Sequence, residues 1–138
     1  MNTLTRRLAT VGSAFAMAAS SLLLASSPAS AATSCYASEC HGLDPATTIC
    51  ANDAQTVLRD RTGWVELRYS PQCRTAWARQ AYGAAGRITV NNSQGAVFAA
   101  DFGGQQAVWT RMVNDKDLLA WACGNWGGGS QFGCTNRY

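Results

Sequence analysis

Histidine is nearly missing from this 138-residue chain; His41 is the only one. Nucleophilic catalysis of the Ser-His-Asp kind needs an imidazole oriented by a third group. Here it would have to run through His41 with Asp44 or Asp53, and no Gly-x-Ser-x-Gly elbow supplies the nucleophile. His41 follows Cys40 in a turn-like stretch and reads as a solvated loop residue. Also lacking are a Cys-x-x-Cys pair, an Asp-rich loop and a basic cluster. The first absence, with the single histidine, argues against a metal centre. The second argues against calcium, and the third against a nucleic-acid partner, whose phosphates call for a basic stripe. The sequence thus calls for no metal and no cofactor. A carboxylate pair for glycoside hydrolysis could be drawn from Glu39, Asp44, Asp53, Asp60 and Glu66. However, Asp44 precedes Pro45 in a turn, Glu66 has arginines to pair with, and Asp53 and Asp60 read as turn and rim residues.

Cysteine, by contrast, is plentiful. Residues 1–31 read as a secretory signal: Arg6 and Arg7, then a charge-free run of apolar and small residues, then Ala29-Ser30-Ala31 in the small-x-small form of a cleavage site. Gly12, Ser13, Ser20 and Ser21 interrupt that run, which weighs against a membrane anchor of ~20 apolar residues; the paired arginines leave a twin-arginine export route open. The expectation is an extracellular protein that is clear of the membrane once processed. Residues 32–138 then form one domain, and two of the charges in the formal +3 belong to the leader. All six cysteines, Cys35, Cys40, Cys50, Cys73, Cys123 and Cys134, follow the cleavage point. An even count in a short exported chain reads as three disulfides. At about 2–4 kcal/mol each, they matter against a total stability of about 5–15 kcal/mol. Cys123 and Cys134 flank a glycine-rich loop and are expected to pair, which leaves three connectivities open for the other four.

Residues 32–50 hold three cysteines with Gly42, Asp44 and Pro45, and read as an irregular, disulfide-pinned segment. DAQTVLRDRT (53–62) suits a helical turn or a strand, and the runs that follow tip it toward strand. Those runs are WVELRY, RTAWARQA, GRITV, GAVFAADF, AVWTRMV and LLAWAC, separated by Ser-Pro, Gly-Ala-Ala-Gly, Asn-Asn-Ser-Gln-Gly, Gly-Gly-Gln-Gln and Asn-Asp-Lys-Asp. Such spacing predicts an all-β domain, a small disulfide-stapled sandwich or barrel. The alanines of RTAWARQAYGAA pull the other way, toward helix.

A turn at Ser70-Pro71-Gln72-Cys73 would join the first two runs, pairing Tyr69 with Arg74, Leu67 with Ala76 and Val65 with Ala78 on a core face. The other face would set Arg68 against Thr75, Glu66 against Trp77 and Trp64 against Arg79. Trp64, Glu66, Arg68, Trp77 and Arg79 therefore form one candidate binding patch, since Trp and Arg are enriched at interface hot spots. A solvated ladder of arginine stems over rings is the alternative. A one-residue slip would exchange the faces. A second candidate lies in WACGNWGGGSQFGC (121–134), where Trp126 and Phe132 are expected to project from a loop; alternatively Trp121 is core and Trp126 shields a bridge.

The order Cys40-His41-Gly42-Leu43-Asp44-Pro45, Cys50-Ala51-Asn52-Asp53-Ala54, Glu66-Leu67-Arg68-Tyr69-Ser70 with Cys73, and Ala76-Trp77-Ala78-Arg79 resembles the YjfA or DUF2690 family of bacterial proteins. The resemblance implies a small exported protein of a kind common in actinomycetes, without an established enzymatic activity. It carries no catalytic residue over, but marks Arg68, Tyr69, Trp77 and Arg79 as motif positions. It also admits an adaptor role within a larger secreted assembly, such as an antibacterial toxin complex. The functional expectation is a secreted, non-catalytic protein-binding or adaptor module whose partner is another secreted protein. The alternatives are a cell-wall or polysaccharide binder using Trp126 and Trp109, and a small secreted hydrolase.

Overall fold

Side-chain alternation is clearest near the C-terminus. In strand β8 (Ala120–Trp126), Ala120, Ala122, Gly124 and Trp126 are buried, while Trp121, Cys123 and Asn125 face outward. That is the signature of an antiparallel strand with one face in a core. The computed structural model describes residues 30–80, 85–104 and 106–138. Most of residues 1–31, read above as an export signal, and the first half of the Gly-Ala-Ala-Gly turn lie outside these. Among the described residues the chain is all-β, and no helix is long and apolar enough to cross a membrane.

Strands β1 (Gln55–Arg59), β2 (Val65–Ser70) and β3 (Thr75–Gln80) form one antiparallel sheet. It is completed by two short pieces that both pair with β3, namely β6 (Val108–Trp109) and β7 (Val113–Asn114). The second sheet runs β5 (Val97–Phe102), β4 (Gly86–Asn92), β8, β9 (Gln131–Cys134). The sheets close face to face on Val65, Leu67, Ala76 and Ala78 from one and Ile88, Val90, Phe102, Ala122 and Trp126 from the other. The fold is a sandwich rather than a barrel. Gly124 lets the layers approach, because a Cβ there would lie 2.6 Å from Val65 Cγ2.

Several expectations are corrected. The β2–β3 loop is four residues, Pro71–Arg74, so the register is displaced by two: Glu66 faces Arg79, Leu67 faces Ala78 and Arg68 faces Trp77. Arg74 closes the loop in the left-handed region (φ 54°), with its N–H donating to Ser70 O at 2.8 Å. A two-residue displacement preserves the faces, so Val65, Leu67, Ala76 and Ala78 remain core. AVWTRMV is not one strand; it is interrupted where Thr110 Oγ1 accepts from Ala78 N–H at 3.1 Å. The glycine-rich loop is narrower than expected, a turn at Gly127–Ser130 between β8 and β9.

The N-terminal segment folds as three short 3-10 turns, Ala37–Cys40, Pro45–Thr47 and Ile49–Ala51. Asp44 caps the second by accepting from Ala46 N–H at 2.9 Å, with Pro45 preset at the first position. This segment lies as a cap over the outer face of the first sheet. Gly42 N–H donates to Met112 O (2.8 Å), Met112 N–H to Leu43 O (3.0 Å) and Ala37 N–H to Cys73 O (2.7 Å). Disulfides Cys35–Cys40 and Cys50–Cys73 sit between cap and sheet in a second small core with Trp77 and Met112. Cys123–Cys134 joins directly opposed residues of β8 and β9, as expected.

Candidate functional site

The outer face of the first sheet carries two cross-strand rows. One runs Arg59, Glu66, Arg79, Trp109 across β1, β2, β3 and β6; the next runs Thr56, Arg68, Trp77 across β1, β2 and β3. Period-two alternation brings these side chains to one side. In the first row the Glu66 side chain, 7% exposed, accepts from Arg59 at 3.0 Å and from Arg79 at 3.0 Å. In the second, Arg68 donates to Thr56 Oγ1 (2.8 Å) and Ala54 O (3.1 Å). Burial first, and then the charge of Arg79, lower the Arg68 pKa from its ordinary value, with Glu66 opposing. A guanidinium keeps its proton in proteins, so three cations surround one carboxylate.

Where the cap's edge meets these rows there is a cleft of about 180 Å³, walled by Arg68, Trp77, Arg79 and Trp109 and, from the cap, by Pro45, Ala46 and Ala51. Trp77 is 4% exposed and Trp109 39%, so one forms the floor and the other the rim. The Trp109 ring is held by its Nε1–H, which donates to Asp44 Oδ1 at 2.9 Å. Arg68, Arg79 and the tryptophans thus stand already oriented, with apolar faces beside unspent guanidinium donors. Such a cleft can hold a side chain or ring that offers a carboxylate at one end and apolar surface at the other.

Of the first candidate patch, Arg68, Trp77 and Arg79 meet at the cleft, and Glu66 lies behind them as a structural anion. Trp64 does not join them. Arg79 does not lie over it in this register; instead Trp64 stacks on Trp126, with ring centroids 5.9 Å apart and planes at 10°. The second candidate comes apart. Trp126 is 7% exposed and belongs to the core rather than projecting, whereas Phe132, 71% exposed, stands on the outer face of the other sheet. Strand parity separates them: Trp126 opposes Gln131, and Phe132 opposes Asn125. Arg59 went unforeseen because the β1–β2 register shifts between Thr56 and Leu58. Trp109, considered only with Trp126 for sugars, reaches the cleft because β6 extends the sheet beside β3.

His41, Asp53 and Asp60, considered for hydrolysis, are engaged elsewhere. His41 Nδ1 accepts from Asn114 N–H at 3.1 Å, and its ring lies against Phe98. Asp53 accepts from the Ser70 hydroxyl (2.6 Å) and Gln72 N–H (2.8 Å). Asp60 accepts from the Thr62 hydroxyl (2.6 Å) and Val65 N–H (3.0 Å).

Fold and site together define a disulfide-cross-linked β-sandwich with an arginine–tryptophan cleft beneath an N-terminal cap. The chain belongs to the family described as protein of unknown function (DUF2690), whose model matches residues 38–123. The match spans most of the cap, the cleft and the strands up to Cys123. No curated protein and no solved structure matches the chain.

Proposed function

We propose that this protein is an extracellular, non-catalytic binding module, an adaptor that receives an acidic, partly apolar segment of another secreted protein in the cleft. The observation that carries the reading is Arg68, Trp77, Arg79 and Trp109 around one cavity, with a net positive surround. Trp and Arg held in a desolvated setting are the residue types that dominate interface energetics. The engagement of His41, Asp53, Asp60 and Glu66 in structural contacts supports binding over hydrolysis. Membership of a larger extracellular assembly, including one of the antibacterial toxin type, fits an adaptor of this size.

Affinity purification from culture supernatant, followed by mass spectrometry, tests the proposal. A defined partner should co-purify, and Arg79→Gln with Trp109→Ala should lower its retention roughly tenfold or more, with the circular dichroism spectrum unchanged. Recovery of monomer alone under conditions that preserve complexes would overturn it. A second reading, a wall-polysaccharide binder, is favoured by the rigidly held Trp109 ring, since aromatic faces stack on sugars. Co-sedimentation with purified wall polymers, free of other proteins, separates the two.

A further inference from the structure

The four cap cysteines are more than two independent braces. The sulfurs of Cys35, Cys40, Cys50 and Cys73 all lie within 4.8 Å of one another. Cys50 Sγ touches both Cys35 Sγ and Cys40 Sγ at 3.6 Å, although its covalent partner is Cys73. Access to this cluster is one-sided. Cys35 is 8% exposed, while Cys40, Cys50 and Cys73 are at 0%. Cys35 is thus the one residue of the four with any exposed surface, and thiol–disulfide exchange depends on which sulfur can be reached.

We infer that Cys35 is a thiol-modification site and that the two cap disulfides form a single exchange unit. The incoming small thiol attacks as its thiolate, having lost its proton to solvent. Its sulfur bonds to Cys35 Sγ, the Cys35–Cys40 bond breaks, and Cys40 leaves as a thiolate. Freed to rotate about its Cα–Cβ bond, Cys40 attacks the adjacent Cys50 sulfur. The Cys40–Cys50 bond forms, the Cys50–Cys73 bond breaks, and Cys73 leaves with the electron pair and takes up a proton. Disulfides are conserved and no external oxidant or reductant is consumed.

The consequence is mechanical. Cys35–Cys40 lies wholly within the cap, whereas Cys50–Cys73 is the disulfide that ties the cap to the β2–β3 loop. Exchange moves the break from the former to the latter, so modification at Cys35 removes the covalent tie of the segment that supplies Pro45, Ala46 and Ala51 to the cleft. Hydrogen bonds such as Ala37 N–H to Cys73 O and Gln72 Nε2–H to Ile49 O then hold the cap in place. The Cys123–Cys134 pair, in the other sheet and more exposed, stands apart from the cluster and opens independently of it.

The test uses the oxidised chain and limiting glutathione. After an acid quench, thiols are blocked in denaturant with N-ethylmaleimide at acidic pH, and the peptides are mapped. Cleavage at Glu39 and Asp44 separates Cys35, Cys40 and Cys50, and cleavage at Arg68 and Arg74 isolates Cys73. The expected products are glutathione on Cys35, a Cys40–Cys50 disulfide and maleimide on Cys73. Maleimide on Cys40 with Cys50–Cys73 intact would overturn the relay. So would glutathione on Cys50 or Cys73. In the Cys35→Ser/Cys40→Ser variant, Cys50–Cys73 should open roughly tenfold more slowly; opening at the wild-type rate would count against Cys35 as the point of entry.

Discussion

On the capped face of the sandwich, Glu66 joins Arg59 and Arg79 with only 7% of its side chain exposed. On the opposite face, Arg87 and Asp101 form a bidentate cross-strand pair with side chains 55% and 70% exposed. The chemistry is the same, arginine against carboxylate on neighbouring antiparallel strands, and the cover differs. In water such a pair exchanges one set of partners for another and contributes little. Under cover, the carboxylate has no water to fall back on, and losing its partners leaves an unpaired charge. Burial of the carboxylate therefore turns an ordinary surface ladder into an oriented site.

The sharpest way to break this comparison is to neutralise both carboxylates. Glu66→Gln should cost about 1.5–3 kcal/mol, the range for hydrogen bonds to charged groups, and should release Arg79 from its present orientation. Asp101→Asn should leave the urea midpoint unmoved within error. Equal effects from the two substitutions would show that burial does not govern the energetics of these ion pairs.

A subtler contrast involves two carboxylates of equal burial. Asp60 and Asp115 are each 5% exposed. For Asp60, burial would raise the pKa, but hydrogen bonds from the Thr62 hydroxyl and from the N–H groups of Val65, Thr62 and Trp64 outweigh it and hold the pKa below 3.8. Asp115 Oδ1 has no hydrogen-bond partner among the described residues, and burial, opposed by Arg74, pushes the pKa up to about 7. The signs of linkage are opposite. Asp60 contributes stability above its unfolded value, and that stability is lost as pH falls through its lowered folded value. Asp115 binds its proton more tightly in the fold, so stability falls as pH rises from about 4 to about 7 and levels off above. Asp115→Asn removes the buried charge, so it should flatten that window and stabilise the fold at pH 8 by about 1–3 kcal/mol, the range for relieving an unsatisfied buried group. A melting-temperature series from pH 4 to 8 checks it, and a variant that keeps the wild-type slope would rule Asp115 out.

How much of this was legible in the chain follows from the same contrast. Alternation in WVELRY and RTAWARQA placed Val65, Leu67, Ala76 and Ala78 inward and Glu66, Arg68, Trp77 and Arg79 outward, and a register error of two residues could not disturb that parity. The pairing itself was hidden, because Arg74 takes a left-handed conformation that no glycine or asparagine advertises. Burial of the outward set was hidden too. It depends on residues 35–51 folding back over β3, a long-range contact without a local pattern. Trp126 and Phe132 were read as a pair through proximity in sequence, but the tight Gly127–Ser130 turn makes them strand residues of opposite parity.

That parity supplies the smallest expected effect. Phe132 is the most exposed large hydrophobic residue described, and its ring stands near Arg87, Thr89 and Asn125 on the uncapped face. Truncation there removes little buried area, so Phe132→Ser should change stability by less than about 0.5 kcal/mol. Its value lies in the binding assay. With the cleft as the docking site, the variant retains the partner as well as wild type, while Arg79→Gln with Trp109→Ala does not. The reverse pattern would move the docking surface to the β5–β4–β8–β9 face. The cap would then serve to stabilise the sheet, and the oriented arginines beneath it would have to be explained by packing alone.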